Sequence, residues 1–343
     1  MEGIIPYLQE QIKLHPGMQP EDIIKLCYQA AYGGDHLLLD IGKAEAYFIQ
    51  EYQAVRPIEE PLYELISPNM ARVNLRAWKQ AGIPGVWLFR LFTLSAQVPA
   101  PGNLAVYLNE AEQLNFPEFH NFRVAYEREG CGSVHHSETY RQAEKPAYRV
   151  VNRRLLPLIP ILKKAAFVQG EEPHVLAIDG RAASGKTTVS EQLAYILEGT
   201  VIHMDHFFLP LELRTQARLD APGGNIHYER FKAEVAAFLG LKEPFSYRPF
   251  NCTHMDYDAP ILVPVCPWRI VEGSYSLHPA FGTYYDVAVF SSVTPEEQIR
   301  RIRARDGEEM LRVFRQRWIP MEERYFNTFD ISGRAAVQFC VQI

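Results

Sequence analysis

The sequence has no excess of positive charge: 35 Lys and Arg stand against 41 Asp and Glu, a formal net charge of -6. A surface of that balance does not gather nucleic acid or anionic lipid without a local basic site, so neither is expected as a partner. Cysteine is scarce. Cys27, Cys131, Cys252, Cys266 and Cys340 are odd in number and scattered, without the paired spacing of a zinc or redox motif, a pattern that suits a reducing compartment. Long apolar runs are missing too. The most apolar stretch, residues 85–98, is interrupted by Arg90 and reads as a buried helix rather than a membrane span. The first residues carry Glu2 and Pro6 where an export signal would carry positive charge and a long apolar run, so a cytoplasmic location is the expectation. No internal repeat or low-complexity segment is visible on inspection.

What is there is the composition of a globular chain, 47% hydrophobic and 22% charged, with 343 residues, enough for two domains. Residues 1 to about 166 read as mostly helical, because apolar positions recur at intervals of three and four between Gly and Pro stops. In 20–32, Ile23, Ile24, Cys27 and Ala31 form one stripe, Pro20 suits a first turn and Gly33-Gly34 supplies the stop. Similar spacing predicts helices near 42–55, 69–81, 86–97, 103–115, 117–129 and 154–166. The polar QGEEP at 169–173 marks a boundary, giving a helical domain over 1–168 and a second domain over 169–343. In the latter, short apolar runs at 174–179, 201–204, 268–271 and 286–290 alternate with helical patterns, which means α/β with a parallel sheet flanked by helices.

The strongest signal is at 180–187, where GRAASGKT has the spacing G-x-x-x-x-G-K-[ST] between an apolar strand and a helix. Gly180 and Gly185 let the backbone curl so that amides of Ala182, Ala183, Ser184, Gly185, Lys186, Thr187 and Thr188 can point at phosphates. The helix start adds its positive dipole end, Lys186 can follow the transferring phosphoryl group, and the Thr187 hydroxyl can ligate Mg²⁺. Such a loop alone does not separate kinases from GTPases, motors or transporter subunits. The chain has neither the guanine-reading Asn-Lys-x-Asp nor the Leu-Ser-Gly-Gly-Gln signature, which favours a small-molecule kinase.

Beyond the loop, VIHMDHFFLP, RLDAPGGNIHYERF, SYRPFNCTHMDYDAP, WRIVEGSYSLHP and EEQIRRIRARDGEEMLRVFRQRWIPMEERYF follow in an order that resembles the uridine kinase and phosphoribulokinase family of P-loop kinases, over about half the chain. The resemblance implies ATP and Mg²⁺ as cofactors and a nucleoside, vitamin or sugar phosphate as acceptor. It implies Asp205 as the base for the acceptor hydroxyl, Glu272 beside Mg²⁺, Arg305 and Arg301 in a mobile lid, and Asp220, Tyr247 and His254 at the substrate. Each has a plainer reading: a capping Asp205, a solvated Glu272, arginines paired with Glu296 and Glu297, packing for Tyr247 and solvent for His254. GGNIH at 223–227 and a shorter lid depart from nucleoside kinases, which puts uridine itself in doubt. His203 and His206 lack metal-ligand spacing.

In the first domain, His135, His136, Tyr140, Arg141, Lys145, Tyr148, Arg149, Arg153 and Arg154 could make a basic, aromatic surface for an anion or simply solvated helix faces. Asp35, His36, His135, His136 and Glu138 have metal-ligand chemistry but would have to converge from separate segments. The leading expectation is an ATP- and Mg²⁺-dependent kinase for a small metabolite. A regulatory nucleotide switch acting on the helical domain is the alternative, a kinase of nucleic-acid ends a third, and homo-oligomerisation stays open.

Overall fold

The computed structural model describes residues 3–98 and 102–340. They fall into two compact units, Met1–Leu156 and Pro157–Ile343. Among the described residues no helix is long and apolar enough to cross a membrane.

The first unit is helical around a small antiparallel sheet of β1 (Tyr63–Leu65), β2 (Met70–Asn74) and β3 (Tyr148–Asn152), with β2 in the centre. Helix Pro20–Tyr32 buries Ile23, Ile24, Cys27 and Ala31 and stops at Gly33, which adopts a φ of 70°. The helix expected over 69–81 is corrected: its first part is β2, and only Leu75–Gln80 is helical. Met70, Ala71, Arg72 and Val73 are all buried, so the strand shows no alternation for the sequence to reveal. Asn74 then accepts from the amides of Arg76 (2.9 Å) and Ala77 (3.2 Å) and starts the helix.

The basic, aromatic surface expected over 135–154 is also corrected in part, since His136, Tyr140 and Arg149 are buried. Asp22 lies 2.7 Å from His136 Nδ1, and His136 Nε2 lies 2.6 Å from the Tyr148 hydroxyl, which also accepts from Gln29 Nε2 at 3.1 Å. Gln29 Oε1 in turn accepts from Arg72 Nε and Nη2 at 3.0 and 2.9 Å. Burial lowers His136 to about 4, against the opposing pull of Asp22, so the ring is neutral near pH 7 and both nitrogens are spoken for. Among the described residues no group of three or more His, Cys, Asp or Glu could hold a metal ion.

The second unit begins with helix Leu158–Ala165, ahead of the polar segment at 169–173, because this helix packs near strands of the second sheet. Its strands in chain order are β4 (His174–Gly180), β5 (Gly199–His203), the short β6 (Phe245–Tyr247), β7 (Phe250–Asn251), β8 (Asp256–Tyr257) and β9 (Ile261–Val263), then β10 (Trp268–Glu272), β11 (Val287–Ser292) and β12 (Val337–Cys340). The main sheet is parallel, ordered β12-β11-β4-β10-β5, with β6-β9 and β7-β8 as separate antiparallel hairpin pairs. This is a parallel α/β fold in which the glycine-rich loop at 180–187 follows the central strand, β4. From β4 the chain continues to both sides of the sheet, and that switch opens a crevice at the carboxyl ends of β4, β10 and β5.

β10 is held in place by a buried cation at its start. Arg269 is fully buried and donates to the carbonyls of Phe238 (2.7 Å), Leu239 (2.9 Å), Leu241 (2.9 Å) and Glu243 (2.9 Å). Replacing it by Met would leave these oxygens without their donor, at a cost of about 3 kcal/mol or more. Arg269→Met is therefore expected to speed hydrogen exchange of amides in 236–272 by roughly a hundredfold. Exchange unchanged there would show that the guanidinium does not secure the strand.

Candidate active site

Gly180 closes β4 at a φ of 143°, where a Cβ would collide with the Ser291 carbonyl, so only glycine fits. Gly185 (φ 93°) and Ala183 (φ 58°) complete the curl, and helix Lys186–Leu197 starts directly beyond. The loop wraps an ammonium: Lys186 Nζ donates to the carbonyls of Gly180 and Arg181, each at 2.9 Å. Main-chain amides at a helix start, with a lysine inside the curl, form an anion site. Thr187 and Thr188 line the adjoining cleft, a cavity of about 1060 Å³.

The acidic side comes from the ends of β10 and β5. Glu272 and His203 are register partners on neighbouring parallel strands, so their side chains leave the same face of the sheet, and His203 Nδ1 reaches Glu272 Oε1 at 2.6 Å. This contact raises the histidine's pKa above its usual value. The Thr187 hydroxyl lies 3.4 and 3.5 Å from the two oxygens of Glu272. Asp205 follows in the turn Met204–Phe207; its side chain opens to the cleft but is walled by protein. Loss of hydration, then the charge of Glu272, pushes its pKa up, against the pull of Lys186, His203 and Arg305. A hydroxyl and two carboxylates, all hard oxygen donors crowded together, suit a small divalent cation.

Two carboxylates that the sequence left unassigned organise the other wall. Asp179, fully buried, accepts from the amides of Gly180 (2.7 Å), Tyr275 (3.0 Å) and Leu277 (2.9 Å) and from the Tyr325 hydroxyl (2.7 Å). Glu322, on helix Ile319–Phe329, accepts from Ala182 N–H at 2.9 Å and Ser274 Oγ at 2.7 Å, and burial raises its pKa. One amide of the phosphate loop is thus already occupied by an anion.

Arg301 and Arg305 both line the cleft from helix Pro295–Val313, which breaks at Gly307 (φ 80°). Arg301 donates to Glu297 at 2.7 Å and to the Ala183 carbonyl at 3.1 Å, whereas Arg305 pairs with Asp306 at 2.8 Å. The three expected substrate residues lie elsewhere. Asp220 is exposed and accepts from Gln216 at 2.8 Å, Tyr247 is buried with its hydroxyl 2.9 Å from His206 Nδ1, and His254 is exposed beside Asp258 at 2.9 Å. Arg214, Asn225, Cys252 and Met255 line that end of the cleft instead. Asn225 and Cys252 belong to the segments PGGNIH and PFNCTH, so the segments were visible and the facing side chains were not.

No protein-family model matches the chain, and no curated protein matches it. Two solved structures with provisional names are similar to part of it. One, named as a uridine kinase from Bacillus stearothermophilus, is 18% identical with a TM-score of 0.42, over 53% of this chain and 97% of that one. The other, named as a fructose transport system kinase from Silicibacter sp. TM1040, is 21% identical with a TM-score of 0.40, over 54% of this chain and 98% of that one.

Glu322→Gln tests whether the resident carboxylate opposes an incoming anion. The amide oxygen can still accept from Ala182 and its nitrogen can donate to Ser274, so the shape is kept and one negative charge is lost. Removing a charge a few ångström from the site is expected to tighten inorganic pyrophosphate binding by about tenfold in calorimetric titration. Equal or weaker binding would mean that Glu322 does not compete.

Proposed function

We propose that the second unit is a phosphotransferase that uses ATP and Mg²⁺ to phosphorylate a hydroxyl group of a small metabolite. The observation that carries this reading is the meeting, in one cleft, of the curled loop at 180–187, the Thr187–Glu272 pair, Asp205 and the arginines of helix Pro295–Val313. A nucleotide-binding switch has use for the first two only. A kinase uses all four.

In this mechanism the loop amides hold the triphosphate, and Lys186 turns from the Gly180 and Arg181 carbonyls toward the terminal phosphoryl oxygens. Thr187 and Glu272 would hold Mg²⁺, which when bound offsets charge on the phosphates. His203 holds one Glu272 oxygen in position. The acceptor oxygen bonds to the terminal phosphorus, the bond to the bridging oxygen breaks, ADP leaves, and the hydroxyl proton passes to Asp205. Partial loss of hydration against the cleft wall, then the charge of Glu272, raises its proton affinity, which is what this step requires. Arg301 and Arg305 counter the charge spread over the transferring group, with the break at Gly307 as the point where their helix can bend to exclude water. The acceptor class implied by the sequence resemblance is a nucleoside, a vitamin or a sugar phosphate.

Asp205→Asn keeps the shape and removes the base. With an accepted substrate, kcat should fall by about 10²–10⁴-fold while the KM for ATP stays within roughly twofold. The acidic limb of the kcat/KM profile should also disappear: Asp205 works ionised, its pKa is raised from its usual value, and activity is lost as pH falls through that pKa. A variant with wild-type turnover and an unchanged profile would remove Asp205 from the mechanism.

A further inference from the structure

The acceptor end of the cleft is built around one residue of main chain. Leu209 donates its N–H to the Asn225 carbonyl at 3.0 Å, and its own carbonyl accepts from Arg214 Nε at 2.8 Å. A bridge between Phe208 and Ile226 ties the same two segments together. Both Arg214 and Asn225 line the cleft that also contains Asp205 and the phosphate loop.

Each of these side chains has unused capacity. Arg214 donates to the Leu209 carbonyl, also meets the Cys252 thiol, and has no carboxylate partner among the described residues, whereas Arg300 and Arg305 across the cleft pair with Glu297 and Asp306. The side chain beside it is Cys252, a thiol exposed at the cleft whose pKa is raised by partial loss of hydration, so it does not supply a counter-ion. Asn225 is 5% exposed, and its amide makes no hydrogen bond of regular geometry, with the buried Tyr275 hydroxyl as its nearest polar neighbour. Buried polar atoms without a regular hydrogen bond are costly, and a pair of them in a cleft wall is the usual mark of a group that a ligand completes.

Resting on the kinase reading above, we infer that the acceptor is a hydroxylated anion, whose phosphate or carboxylate pairs with Arg214 while Asn225 holds a neighbouring hydroxyl or amide. The fork of a guanidinium suits either group, by two parallel charge-assisted hydrogen bonds. The anion lies at the Arg214 end and the reacting hydroxyl at Asp205, so the substrate is oriented by its charge before the lid arginines approach. A neutral nucleoside would leave Arg214 without a counter-ion as the cleft closes.

The test uses the full chain with its phosphate loop filled by AMP-PNP and Mg²⁺, so that anions cannot bind there. The probes are D-ribose 5-phosphate against D-ribose, and D-glycerate against glycerol, titrated into wild type, Arg214→Gln and Arg214→Lys. At least one anion is expected to bind about tenfold or more tighter than its neutral counterpart. That preference should vanish in Arg214→Gln and return in part in Arg214→Lys, with AMP-PNP affinity unchanged in both as the check on folding. The arm that responds identifies phosphate or carboxylate. No preference in either pair, or a preference that survives Arg214→Gln, overturns the inference.

Product analysis with ATP separates the two ideas. A neutral acceptor phosphorylated at least as efficiently as its anionic counterpart sinks the anion site and leaves the kinase standing. Arg214-dependent anion binding with no phosphorylated product from any acceptor sinks the kinase and leaves the anion site standing.

Discussion

One buried carboxylate holds the candidate site together. Asp179, the last residue but one of β4, has no exposure to solvent, and its two oxygens gather donors from three places: the start of the phosphate loop, the turn after β10 and helix Ile319–Phe329. An ionised carboxylate out of water is tolerable only when its lone pairs are filled, and here four donors fill them. The geometry follows from that demand. Gly180 turns back so that its amide meets the side chain preceding it, the turn at 273–277 is drawn against the loop, and Tyr325 brings with it the helix that carries Glu322.

A second constraint is the crowding of negative charge where phosphates are to be held. Glu272, Asp205 and Glu322 stand near a loop whose amides attract anions, and loss of hydration, with a smaller push from neighbouring carboxylates, raises the pKa values of Asp205 and Glu322. The chain balances the negative charge with Lys186 and the arginines of helix Pro295–Val313, which line the cleft, and with His203 bonded to Glu272. Such a site is poised for a cation and a polyanion together. Either alone would leave one set of charges unanswered.

How much of this could be read from sequence depended on how far apart the cooperating residues lie. The phosphate loop is contiguous, so its spacing revealed it. Glu272 and Asp205 sit at ends of apolar runs, where position alone suggested the crevice. Asp179 was read only as the end of a strand, because every donor but the adjacent Gly180 amide is 96 to 146 residues away. Glu322 was hidden for the same reason, being 140 residues from the amide it meets. The strand Met70–Asn74 was missed for a different cause: burial on both faces removed the alternation, and a buried Arg72 paired to Gln29 counterfeited a helical polar face.

The acceptor end makes the same point more sharply. Asp220, Tyr247 and His254 were expected there from their places in the motif order, yet each is already satisfied elsewhere, by Gln216, His206 and Asp258. Substrate contacts need side chains with capacity left over, and motif order does not report capacity. Asn225 follows a glycine turn packed against His278 and Tyr325, and its amide makes no hydrogen bond of regular geometry, with the Tyr275 hydroxyl as its nearest polar neighbour. A turn so rigid, ending in an amide without a regular hydrogen bond, costs stability in the empty protein. A ligand that supplied the missing hydrogen bonds, as inferred above, would offset that cost, and in this way a fold can favour one acceptor over another without any change to the loop at 180–187.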